Sequence, residues 1–229
     1  VQNASGNTWT ASFVAQANST DGPVTFSVSF NDTVGNAGTA VTATSDGTSV
    51  AIDNSAPTLS SVSIASDNTN TSKAKAGDDI TLTFTASEAI GTPVVTFRSG
   101  GDAITDGSVV YRNTSGNTWT AVYTANASDT DGAVTYSIAF SDTTGNAGTA
   151  VTSGSGSVTT DTTAPTLSNV SITSDNSTST LAKANDDVTL TFTASESIST
   201  PTVTFRSGGD AITDGSVVYR NTSGNTWTA

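Results

Sequence analysis

Apolar and polar residues alternate with a period of two along much of the chain. Ile80, Leu82, Phe84 and Ala86 are separated by Thr81, Thr83 and Thr85. Val134, Tyr136, Ile138 and Phe140 are separated by Thr135, Ser137 and Ala139, and Trp119, Ala121 and Tyr123 by Thr120 and Val122. Successive side chains of a strand point to opposite faces, so this pattern predicts strands with one face in a core and one in water. Thr, being β-branched, suits the outer face. No stretch carries convincing helical spacing. Turn-forming clusters separate the runs: Ser99-Gly100-Gly101-Asp102, Asn113-Thr114-Ser115-Gly116-Asn117, Asp129-Thr130-Asp131-Gly132 and Thr144-Gly145-Asn146. Seven strands follow: A near 58–65, B near 79–86, C near 93–98, D near 107–112, E near 117–125, F near 133–140, and G split over 148–160. Seven short antiparallel strands at this spacing predict a β-sandwich. Trp119 alternates inward with Tyr123, which assigns it to the core.

The pattern repeats. Asn113 through Ala121 returns as Asn221 through Ala229, and a close variant spans Asn3 through Ala11. Trp9, Trp119 and Trp227 are 110 and then 108 residues apart. Ala56-Pro57-Thr58-Leu59 returns as Ala164-Pro165-Thr166-Leu167, and Arg98 through Gly107 returns unchanged as Arg206 through Gly215. A period of 108 to 110 residues is too long for a solenoid and suits one whole domain. The expected organisation is the C-terminal part of one repeat over 1–52 (strands E to G), a complete repeat over 53–160, and the N-terminal part of a third over 161–229 (strands A to D and the start of E). Such ends fit a window cut from a longer filament, or copies that complete one another head to tail. The window is the expectation, because both cuts fall at one repeat position.

Composition narrows the class. The chain has no Cys, and a repeat of this size buries a core without disulfides. Twenty acids against seven bases give a net charge of −13, which argues against nucleic-acid binding. No run of 18 apolar residues is present, so no segment is expected to span a membrane as a helix. With neither His nor Cys, the common acid–base and nucleophilic pairs are missing, and no enzyme is expected. A carboxylate pair of the glycosidase kind is disfavoured because the acids sit at turns and no pocket-forming insertion is seen. Lys75 and Lys183 occupy matching positions, but in a polar A–B loop that disfavours an isopeptide bond. Tripeptides such as Asn113-Thr114-Ser115 match the glycosylation pattern, as chance predicts in a chain this rich in Asn and Thr.

Asp161-Thr162-Thr163-Ala164-Pro165-Thr166-Leu167, Leu82 through Glu88 and Ser141-Asp142-Thr143-Thr144-Gly145-Asn146 together resemble the bacterial immunoglobulin-like tandem repeats of large extracellular adhesins and surface fibres. The resemblance covers the whole chain. It implies immunoglobulin-like sandwiches in tandem, export to the bacterial cell surface and, in many members, calcium at domain junctions.

The acids give that last implication particular residues. The two Glu, Glu88 and Glu196, stand at one position of two repeats, and every other acid is Asp. In this topology the B–C and F–G loops lie at the N-terminal pole beside the incoming linker. Asp53 (linker), Glu88 (end of B) and Asp142 (end of F) should therefore meet, with Asp21 of the preceding E–F loop nearby. The corresponding set at the next junction is Asp131, Asp161 and Glu196, with Asp129 as an extra acid whose counterpart is Ser19. Converging carboxylates repel one another, and a hard cation such as Ca²⁺ relieves this. The plainer alternative is that Asp serves turn geometry. Glu is not a favoured turn residue, and its recurrence favours Ca²⁺.

The stretch between strands G and A, Thr159 through Pro165, has a proline and no glycine, which favours a stiff, extended joint with each repeat adding about 40 Å. The expected function is a spacer or fibre-forming repeat whose partners are neighbouring repeats or head-to-tail copies. The alternative is a repeat that itself binds a glycan or cell-surface ligand and gains avidity from number. That alternative needs an exposed aromatic platform or loop insertion, and the sequence shows neither.

Overall fold

The computed structural model describes residues 1–104, 109–212 and 217–229. Strands and turns make up its regular structure, and the described residues contain no helix. Four short strands come first: β1 (Gln2–Ser5), β2 (Thr8–Thr10), β3 (Gly22–Pro23) and β4 (Ala51–Ile52). The complete repeat holds β5 (Leu59–Ser66), β6 (Lys73–Ala74), β7 (Asp79–Ala86), β8 (Val94–Ser99), β9 (Asp102–Ala103), β10 (Val110–Ser115), β11 (Thr118–Thr124), β12 (Gly132–Ala139) and β13 (Thr159–Thr160). The remainder holds β14 (Leu167–Ser174), β15 (Val188–Ala194), β16 (Arg206–Ser207), β17 (Asp210–Ala211), β18 (Arg220–Ser223) and β19 (Thr226–Thr228).

The period-two pattern becomes a core. In β7 the buried residues are Ile80, Leu82, Phe84 and Ala86, while the intervening Thr residues stay partly exposed. Trp119 faces Phe84 across β11 and β7 and packs against the core from a partly buried position. Two sheets form, β10-β11-β7-β5 and β6-β13-β12-β8-β9. In the predicted lettering these are D-E-B-A and G-F-C with short additions. That division is the one an immunoglobulin-type sandwich makes, and it gives the chain its class: all-β, with an immunoglobulin-like antiparallel sandwich.

Two strands depart from expectation. Strand D, described from Val110, runs to Ser115, three residues past its expected end, and residues 107–108 of its expected span lie outside the described residues. Strand G is reduced to β13 plus isolated bridges at Val151 and Ser155. The Ser/Gly-rich run 152–157 here lies parallel to β5. Ser155 receives the Ile64 N–H and gives its own N–H to the Val62 carbonyl. Glycine permits this approach: a Cβ on Gly154 would lie 2.4 Å from the Val62 carbonyl oxygen, and one on Gly156 2.2 Å from that of Ile64.

The chain forms two compact units, Val1–Thr162 and Thr163–Ala229. The second has a sheet β14-β15-β19-β18, which matches β5-β7-β11-β10 strand for strand. Strands without neighbours shrink. Val94–Ser99 is six residues long beside β12, whereas only Arg206–Ser207 pair in the corresponding stretch of the second unit. The short strand Lys73–Ala74 pairs with β13, and the corresponding residues 181–182 form none. Near-identical sequence gives a strand only where a partner satisfies its backbone.

Candidate metal centre at the repeat junction

Asp142 lies three residues beyond the end of β12 and organises the turn that follows. Its Oδ1 accepts the N–H groups of Thr144 (2.9 Å), Gly145 (2.7 Å) and Asn146 (2.8 Å) and the Thr144 hydroxyl (2.9 Å). Its Oδ2 accepts the Asn146 side-chain amide at 2.8 Å. Burial pushes this carboxyl up, but the donors from Asn146, Thr144 and the turn backbone outweigh it and hold the group down at about 2. Asp32 builds the same turn in the preceding repeat, where Val34 and Asn36 donate to it. The turn is therefore a local device that needs no neighbouring sheet.

The same turn reaches the linker. Asn146 donates to the Asp53 backbone carbonyl at 3.0 Å, and the Thr144 hydroxyl oxygen lies 3.4 Å from the Asp53 carboxylate. Farther along the linker, the Thr58 N–H bonds the Ser87 hydroxyl at 3.0 Å, and the Ser87 N–H bonds the Thr58 carbonyl at 2.9 Å. Ile90 bridges to Asp142. These contacts bring Glu88, between Ser87 and Ile90, against the other two acids. Asp53, Glu88 and Asp142 each offer a carboxylate oxygen within 4.8 Å of the others. Burial pushes the Glu88 carboxyl up, and the charges of Asp53, Asp142 and Asp21 push it further. Among the described residues, the only ion pairs are Lys75–Asp78 and Lys183–Asp186, so no ammonium or guanidinium answers this cluster.

The donor set fits a hard cation. Calcium–oxygen bonds of 2.3–2.6 Å place two ligand oxygens at most about 5 Å apart, and the cluster meets that limit. The residues that would hold the ion are Asp53, Glu88 and Asp142.

Asp21 stands outside that group and does a different job. Its Oδ1 accepts the Asn54 N–H at 2.7 Å and its Oδ2 the Ser55 hydroxyl at 2.6 Å, while the Asn54 amide bonds the Ser19 carbonyl at 2.9 Å. The linker is thus gripped from the preceding repeat by Asp21 and from the following repeat by Asn146. Asp131 repeats Asp21: it accepts the Thr162 N–H at 2.7 Å and the Thr162 hydroxyl at 2.9 Å. Asp161 lies beside it in the same unit, its N–H bonded to the Ala74 carbonyl at 2.8 Å. Glu196 follows β15 in the other unit.

The roles of two residues escaped the sequence. Asn146 ties turn to linker; its only sequence signal is the shared Gly-Asn of 35–36 and 145–146. Asp129, the extra acid, accepts the Tyr123 hydroxyl in a short hydrogen bond and the Asn126 N–H at 2.8 Å. In the preceding repeat Phe13 replaces Tyr123 and Ser19 replaces Asp129. The Ser19 hydroxyl oxygen still accepts the Gln16 N–H at 3.1 Å, so the turn is kept and only the phenol's partner is lost. The paired change between repeats was the signal available.

No protein-family model matches the chain, and no curated protein matches it. Among solved structures it is similar to a titin substructure, with 13% identity, a TM-score of 0.29, and 76% of this chain and 81% of that chain covered. It is likewise similar to a pair of titin Ig tandem domains, with 12% identity, a TM-score of 0.27, and 76% of this chain and 78% of that one covered.

Proposed function

We propose that the chain is a structural segment of tandem immunoglobulin-like repeats, a stalk or fibre-forming part of a bacterial adhesin or filament outside the cell. Its role is mechanical rather than catalytic, and Ca²⁺ held by Asp53, Glu88 and Asp142 stiffens the joint between repeats. One observation carries this reading: the linker is fastened on both sides, and its Asp53 carboxylate converges with those of Glu88 and Asp142 without a cationic side chain to balance them. A passive tether needs neither feature. Recurrence of the clasp at Asp131 and Thr162 supports a joint made once per repeat.

Calorimetric titration of the 229-residue chain with Ca²⁺ tests it. The expected result is a site in the range of extracellular modules, about 10⁻⁴ to 10⁻³ M, lost in Glu88→Gln and kept in Glu196→Gln. No heat in the unsubstituted chain, together with a melting temperature indifferent to EDTA, would remove calcium from the account.

A further inference from the structure

Strand β5 breaks step with β7 at one point. Their register slips between Ser60 and Ser63, and Ser61 takes a left-handed φ of 52°. Such a bulge takes residues 61 and 62 out of the ladder with β7. On its other edge β5 meets no regular strand, only the Ser/Gly-rich run 152–157. There the Val62 carbonyl accepts the Ser155 N–H at 2.8 Å and the Ser155 hydroxyl at 3.2 Å, and the Ile64 N–H bonds the Ser155 carbonyl at 3.0 Å.

The run is pinned at both ends and lightly held between them. Val151 exchanges backbone hydrogen bonds with Ile138, and the carbonyl of the buried Val158 accepts the Val134 N–H. Residues 152–157 are all exposed, so none of them anchors a side chain in the core. Few apolar contacts and solvent-exposed backbone hydrogen bonds mark a segment of low local stability. Under the run lies Tyr136, itself 9% exposed, whose buried hydroxyl has no hydrogen-bond partner among the described residues. A Cβ on Gly154 would fall 2.8 Å from that hydroxyl oxygen, so Gly154 is part of its cover. A buried phenol without a partner is costly, and uncovering it returns that cost.

We propose that residues 152–157 form a strap that opens by itself, between hinges at Val151 and Val158, while the sandwich stays folded. Opening trades the Ser155 and Ile64 hydrogen bonds for water and hydrates the Tyr136 hydroxyl. It bares the edge of β5 over 62–64, where a carbonyl and an N–H become free to pair; the closed strap is the device that keeps this edge covered. The strap shares no residue with the cluster of Asp53, Glu88 and Asp142, so the proposal stands or falls apart from calcium.

Native-state hydrogen exchange of the 229-residue chain, resolved by residue with NMR, tests it. The Ser155 and Ile64 amides report the strap. The Ile138 and Val134 amides, bonded to the carbonyls of Val151 and Val158 at the hinges, report the sandwich. The expected result is that Ser155 and Ile64 exchange together, at least about 100-fold faster than Ile138 and Val134, at a rate that low urea hardly changes. Tyr136→Phe keeps the ring but removes the hydroxyl that opening hydrates, so exchange at Ser155 and Ile64 should slow roughly 10-fold. Gly154→Ala puts a Cβ 2.4 Å from the Val62 carbonyl oxygen and holds the strap open. Ser155 and Ile64 should then lose protection while Ile138 and Val134 keep theirs. Exchange of all four amides at one rate, strap rates unmoved by Tyr136→Phe, or loss of all four protections in Gly154→Ala would each overturn the proposal.

Discussion

Glu88 and Asp142 share a cluster but respond to acid in opposite ways. The Glu88 carboxyl is pushed up, so its protonated form is favoured in the fold. Its contribution to stability is present below its ordinary value of 4.5 and lost as pH rises through the raised value. In EDTA, Glu88→Gln should therefore melt higher than the unsubstituted chain at pH 7, and the gap should close below pH 4.5. With saturating Ca²⁺ the order should reverse. Asp142 is held at about 2, so the stability its turn supplies is present above the ordinary carboxylate value of 3.8 and lost as pH falls from there through about 2. Thermal melts from pH 7 to 2, with and without EDTA, check both. Tyr123 and Asp129 form a second pair with its own test. Asp129→Ser should cost about 1–3 kcal/mol by removing the short hydrogen bond from the Tyr123 hydroxyl, and adding Tyr123→Phe should recover part of it, since the preceding repeat carries Phe13 with Ser19. A double-mutant cycle by denaturant unfolding measures that coupling.

Elements were legible in proportion to how local their cause is. Strand B was expected over 79–86 and is Asp79–Ala86, because alternating apolar and Thr residues state both period and face. Strand D was less legible, since most of β10 is exposed and little in its sequence marks an inner face. Strand G was expected as a split strand over 148–160, but not how little of it pairs regularly, because its geometry is set by β5, almost a hundred residues earlier. Substitution there should show the dependence. Gly156 has a φ of 76°, and an added Cβ would press on the Ile64 carbonyl, so Gly156→Ala should cost about 1–3 kcal/mol. Ile138→Ala, in the buried centre of β12, should cost about 2–5 kcal/mol through lost burial and a cavity. Urea denaturation of each variant provides the values. At the candidate site, convergence of Asp53, Glu88 and Asp142 followed from topology alone. The separate clasping roles of Asp21 and Asp131 did not, because a carboxylate that accepts backbone N–H groups looks in sequence like one that awaits an ion.

At the scale of the molecule, the one complete repeat shows what the sandwich needs. Where β12 and β13 pair, β8 is long and the core is dry. The joint carries the weight of the proposed function, since a chain of sandwiches is only as stiff as its linkers. The chain has no cysteine, so thiol labels can be placed uniquely. The most direct measurement is the distance distribution between spin labels at Thr25→Cys and Thr135→Cys, two exposed matching positions on either side of the first junction. The account predicts a distribution that narrows on adding Ca²⁺, broadens in EDTA, and stays broad in Glu88→Gln under both conditions. One unchanged distribution across Ca²⁺, EDTA and Glu88→Gln would contradict a calcium-stiffened joint.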